Sequence, residues 1–82
     1  MKKHYVLVSV QEPSEDIQSA SQIWIGFESK TEKIELKDEQ SRKLALNAWL
    51  LVRDSEASAL ASIVREAEGF RLKYEVYYLS SD

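Results

Sequence analysis

The chain has no cysteine, one histidine, one proline and two glycines among its 82 residues. The first absence excludes disulfides, zinc–thiolate centres and thiol nucleophiles. One histidine excludes a His-rich metal site. Two isolated glycines cannot build a G-x-G-x-x-G turn or a P-loop, so the common phosphate cradles are excluded too. No apolar run reaches the roughly 18 residues that a membrane-spanning helix needs. Met1-Lys2-Lys3-His4 has the charge of a signal-peptide start, but the apolar run from Tyr5 stops at Gln11-Glu12, and no cleavage site follows. The expectation is therefore a cytoplasmic protein with no membrane segment. Fourteen acids against eleven bases give a net charge of −3, and 44% of residues are hydrophobic. That balance describes one globular domain spanning 1–82, neither disordered nor basic enough to seek phosphate.

His4-Tyr5-Val6-Leu7-Val8-Ser9-Val10 reads as a strand with both faces partly buried. The polar stretch 13–21 is a loop or a single turn, capped by Ser14 and anchored by Ile17. Residues 22–36 read as a hairpin. Ile23, Ile25 and Phe27 alternate with Trp24, Gly26 and Glu28, Ser29-Lys30-Thr31-Glu32 forms the turn, and Lys33-Ile34-Glu35-Leu36 alternates again. Gly26 marks a bulge or a close contact.

From Glu35 through Leu51 there is no Val, Ile, Thr, Tyr or Phe, and helix formers take their place. Residues 38–52 read as a helix with Asp38 as N-cap and the pairs Asp38–Arg42 and Glu39–Lys43 at i,i+4. Leu44, Leu46, Ala48 and Leu50 also alternate with Ala45, Asn47, Trp49 and Leu51, so a buried strand is the alternative. Asp54-Ser55 offers the next cap. The helix from Ser55 to Glu68 gathers Ala59, Leu60, Ile63, Val64, Ala67 and Phe70 on one arc, with Gly69 as the C′ residue that ends it. Arg71 to Leu79 alternates as a strand, with Leu72, Tyr74, Val76 and Tyr78 on one face.

The expected fold is α+β: a small antiparallel sheet of three to four strands with two helices packed on one face. The order is β-β-β-α-α-β, or β-β-β-β-α-β if residues 42–52 form a further strand.

Catalytic equipment is not recognisable. His4 stands beside two lysines with no designated carboxylate or nucleophile. None of the eleven serines lies in a G-x-S-x-G elbow. Glu12, Glu15 and Asp16 cluster, but with no EF-hand spacing and no turning glycine. No catalytic, metal or cofactor residue is assigned, and the chain is expected not to be an enzyme. Basic residues are spread among acids, and Tyr74, Tyr77 and Tyr78 could stack bases only without the flanking positive charge that RNA requires, which argues against nucleic acid.

What stands out is apolar surplus. Asn47 is the only polar residue from Leu44 to Val52, and several strands are apolar on both faces. A chain this short has little material to cover them. The surplus points to a protein-interaction module that self-associates or binds a protein partner, with Trp24, Leu46, Trp49, Leu50 and Tyr77 as interface candidates. A ligand-holding regulatory domain is the alternative, and weak nucleic-acid binding the second.

Overall fold

The computed structural model describes residues 3–14 and 19–81. The elements follow the order β1 (Lys3–Val10), α1 (Ala20–Glu32), β2 (Arg42–Ala45), β3 (Ala48–Val52), α2 (Ala57–Gly69) and β4 (Tyr74–Ser81). One sheet in the order β2-β3-β1-β4, antiparallel throughout, forms the first layer. The two helices lie side by side on one face of it. The β-α-β-β-α-β order is that of a split βαβ unit. The expected α+β class, the four-stranded antiparallel sheet and the one-sided helices are all present, but the order of elements is not the expected one.

The order departs from expectation in two segments, each for its own reason. Residues 22–36 are not a hairpin: 20–32 are helical, and 29–32 are the last helical turn. Phe27 and Thr31 are buried, Ile23 and Trp24 half-buried, and Ile25 is 64% exposed. The spacing that matters is therefore Ile23, Phe27 and Thr31, one helical stripe, while the alternation through Ile25 is accidental. Thr31 closes the helix by donating its hydroxyl to Phe27 O at 2.9 Å. Residues 38–52 are not a helix. Asp38 accepts the Gln40 N–H at 2.8 Å in a turn, and 42–52 form the β2–β3 hairpin, closer to the strand alternative. Poor strand formers hold this hairpin because Trp49 and Leu51 enter the core opposite Val8 and Val6. Burial outweighs intrinsic propensity, which is worth only tenths of a kcal/mol per residue. The reading of Ser14 and Ile17 as one capped turn falls largely on 15–18, outside the described residues.

The core lies between the layers. Val6, Val8 and Val10 of β1, Trp49 and Leu51 of β3, Phe27 of α1, and Ala59, Ile63 and Ala67 of α2 form it. The α2 residues recur at i, i+4 and i+8, which is the periodicity that marked this helix in the sequence. Its cap differs from expectation. Glu56 rather than Asp54-Ser55 takes the N-cap position and makes no side-chain cap bond. At the other end the left-handed residue is Arg71 (φ 58°), not Gly69. Leu72 N–H reaches Ala67 O at 2.8 Å and Arg71 N–H reaches Glu68 O at 3.0 Å, the paired bonds of a Schellman motif.

The two glycines are thus opposites. A Cβ on Gly69 meets nothing within 4 Å, whereas one on Gly26 falls 2.9 Å from Phe70 Cε1 and 3.0 Å from Cζ. Gly69→Ala is expected to raise stability by about 0.5–1 kcal/mol, the gain from removing a helical glycine. Gly26→Ala removes one as well but collides with Phe70, for a net loss of about 1 kcal/mol. Urea midpoints of the two variants should move in opposite directions.

Candidate interaction surface

The register assigns every strand residue to a face. Directly opposed residues of antiparallel strands point the same way. Val6↔Leu51 and Val8↔Trp49 face the helices, so Tyr5↔Val52 and Leu7↔Leu50 face away. On β4, Leu79 aligns with Tyr5 and Tyr77 with Leu7. Two apolar rows therefore cross the bare side of the sheet: Leu79–Tyr5–Val52 and Tyr77–Leu7–Leu50. Arg42 ends the second row on β2, opposite Leu50. Below it lie Glu75, Ser9 and Ala48, and beyond the first row lies Lys3. Gln40 reaches over the Lys3 end, accepting from the Lys3 ammonium and from Tyr5 Oη. The patch is an apolar centre with a rim carrying charges of both signs.

The interface candidates divide across the molecule. Leu50 and Tyr77 meet in one row of the bare face, and exposed Leu46 sits at the β2–β3 turn beside it. Trp24 belongs to the other layer, half-buried on α1 and stacked on Phe27 with ring centroids 5.5 Å apart. Trp49 is corrected outright: at 2% exposure it is core, not a surface anchor. Phe27 meets its ring edge-on at 6.2 Å, and Lys43 Nζ lies 5.3 Å from its centroid, capping the side toward the β2 edge. Sequence reasoning missed Tyr5, Leu7, Val52 and Leu79 as members of the patch. Their signal was present in the two-sided apolar pattern of β1 and β4, and pairing the strands was what was needed to read it.

The three tyrosines considered as base stackers do not share a surface. Tyr74 faces the helices and donates its hydroxyl to Glu68 Oε1 at 3.0 Å. That bond to a carboxylate, then burial, raises the Tyr74 pKa. Tyr77 faces the bare side and Tyr78 the helix side. His4 lies within β1, its carbonyl taking the Arg53 N–H at 2.9 Å. Of the acidic cluster, Glu12 is exposed, while Glu15 and Asp16 are outside the described residues. Among the described residues no three histidines or carboxylates gather to hold a metal ion, and no helix is long and apolar enough to cross a membrane.

Away from the bare face, a cleft of about 390 Å³ is lined by Ile23, Phe70 and Leu72 together with the charged Glu12, Arg71 and Lys73. Its size suits a small organic molecule.

Comparison of the chain with known protein families, with curated proteins and with solved structures finds no match in any of the three.

Proposed function

We propose that this chain is a non-catalytic interaction module that self-associates through the bare side of its sheet. The supporting observation is the pair of apolar rows, Leu79–Tyr5–Val52 and Tyr77–Leu7–Leu50, on a face that no element of the described chain covers. A contiguous apolar patch with a polar rim is how interaction surfaces are built. The occupant is a second copy because the rim holds Lys3, Arg42 and Glu75, so a copy offers counter-charges to its own kind. RNA fits poorly, since Glu75 stands in the same patch as the two cations. Four strands at about 4.8 Å spacing and some five residues of length present roughly 300 Å² in projection on each copy, well under the roughly 800 Å² per partner of a standard interface. The association is accordingly a reversible one, with a Kd in the micromolar range.

Leu50→Glu is the expected disrupting change. It places a carboxylate in the middle of the patch, beside Arg42, which tolerates it within one copy. Sedimentation equilibrium should show a lower mass for the variant than for the wild type, with the thermal midpoint of the isolated fold nearly unmoved. A wild type of single-chain mass at about 100 µM, well above the Kd expected of a small interface, sinks the reading.

The ligand-holding alternative rests on the cleft at Phe70. Thermal stabilisation by a small carboxylic acid, lost in Arg71→Ala, is the result that would favour it over self-association.

A further inference from the structure

The two edges of the sheet are built differently. β2 is four residues long, irregular in register between Lys43 and Ala45, and carries Arg42 and Lys43. Short length, irregularity and charge are the devices that keep an edge strand from pairing with another chain. β4 is neither short nor irregular, and it carries one charge where β2 carries two. It runs for eight residues in unbroken register with β1, and Glu75 is its only charge.

The hydrogen bonds show which groups this edge presents. Gln11 N–H donates to Lys73 O at 2.8 Å, one step beyond the Val10↔Tyr74 pair in the same register. Bonded and non-bonded pairs alternate along an antiparallel ladder. Glu75, Tyr77 and Leu79 therefore turn their N–H and C=O groups toward β1, while Tyr74, Val76, Tyr78 and Ser80 turn theirs outward. β1 obeys the same alternation on its other side, where Val10 and His4 engage Asn47 and Arg53. Among the described residues no strand lies outside β4 to receive the outward groups. Tyr78 faces the helix side opposite buried Val6, yet is 69% exposed, because the helix layer stops short of β4 here.

We infer that the outer edge of β4 is a second contact surface whose occupant is β4 of another copy, paired antiparallel about a two-fold axis at Tyr77. In that register Val76 meets Tyr78 of the second copy, Tyr74 meets Ser80, and Glu75 meets Leu79. Only this register engages all four outward residues of both copies. A shift of the axis by one residue in either direction leaves at least one outward residue without a partner from the other β4. No like charges meet, since the two Glu75 side chains lie four residues apart along the strands, about 13 Å. Tyr78 packs on Val76 of the other copy, an aromatic–β-branched pair of the kind that stabilises sheets. The two Tyr77 side chains adjoin on the bare face and join the two apolar patches into one across eight strands. This contact goes beyond the face contact and does not depend on it, since it uses a different surface.

The test uses the full chain with Leu50→Glu, which removes the face contact. At about 100 µM, suited to a small interface, its mass should be twice the 9.5 kDa of one chain. Adding Tyr78→Pro should return it to single-chain mass with unchanged circular dichroism. The lost N–H is one that points away from β1, and proline is accepted at such an edge position. A cysteine-free chain also permits a positional test that does not depend on how proline is tolerated. In the Leu50→Glu chain, where the face contact is removed, Tyr77→Cys should form an intermolecular disulfide on mild oxidation, because a non-bonded antiparallel pair sets Cα atoms about 4.5 Å apart, within disulfide reach. Leu79→Cys should not, its counterpart lying about 13 Å away. Single-chain mass for Leu50→Glu, with a multimeric wild type, overturns the edge contact and leaves the face contact standing. Equal crosslinking at 77 and 79 overturns it too, a result expected if unrelated strands dock there. Unchanged mass in Leu50→Glu with a monomeric Leu50→Glu/Tyr78→Pro supports the edge and overturns the face. A wild type of single-chain mass overturns both.

Discussion

Trp49→Ala is expected to cost about 3–5 kcal/mol, the range for truncating a fully buried aromatic. Trp49 is the largest of the fully buried side chains, held opposite Val8 on the sheet and edge-on to Phe27 of α1. With Leu51 it is what β3 contributes to the core between sheet and helices, so its loss opens a large cavity there. At a typical 0.05–0.15 kcal/mol per residue the whole fold is worth only about 4–12 kcal/mol. Urea unfolding should therefore show a midpoint lowered by about a quarter or more, and at the low end of that range the variant is unfolded without denaturant. Its neighbour gives the contrast. Leu50 points to the bare face, so Leu50→Glu should change mass and not folding, whereas Trp49→Ala should change folding first. A Trp49→Ala chain that melts like the wild type and merely dissociates would contradict the core assignment.

Glu56→Ala is expected to cost about 3 kcal/mol, because hydrogen bonds to a buried charged group are worth about 1.5–3 kcal/mol each and do not add fully. The Glu56 side chain is 2% exposed and takes the Lys37 N–H at 2.9 and 3.1 Å and the Asp38 N–H at 3.2 Å. Ser41 donates its hydroxyl to the same carboxylate and accepts the Val52 N–H at 2.9 Å. One carboxylate thus ties the start of α2 to the turn that delivers the chain into β2. Burial pushes its pKa up, but the bonds from Ser41, Lys37 and Asp38 together outweigh burial and the repulsion of Asp38, and the net shift is downward from 4.5. A carboxyl with its pKa lowered by folding contributes stability that is present above 4.5 and is lost as pH falls through the folded value. The difference in urea midpoint between wild type and Glu56→Gln should therefore be full at neutral pH and shrink below pH 4.5. A difference that stays constant on acidification would show that the charge is not what the turn needs.

Legibility varied by element for physical reasons. α2 is readable because it carries one unambiguous period and packs on the face that period predicts, and β1 because its β-branched and aromatic run between polar ends fits a strand buried on both faces. α1 was misread because Trp24 and Ile25 fill positions between Ile23 and Phe27, so a window of five residues satisfies both a strand and a helix. Only Thr31, a polar residue buried through its bond to Phe27 O, completes the helical stripe, and nothing in its chemistry marks it as interior. The β2–β3 hairpin was misread because its residues favour helix one by one. Two of the five interface candidates, Leu50 and Tyr77, share the bare face by register, whereas the rings of Trp24 and Trp49 pack against Phe27.

Sequence alone determined what this protein is without: thiol chemistry, phosphate loops, a His-rich metal site, a membrane-spanning helix. Those depend on which residue types are present and on the length of apolar runs and the spacing of glycines, all of which are read directly along the chain. It also determined the α+β class and the existence of more apolar surface than one short chain hides, which are properties of patterns within single segments. Tertiary structure decided where that surplus lies. Whether Trp49 or Leu50 faces the helices depends on how β3 registers with β1, and a slip of one residue exchanges them. Register is set by contacts between residues some forty positions apart, and no local period records it.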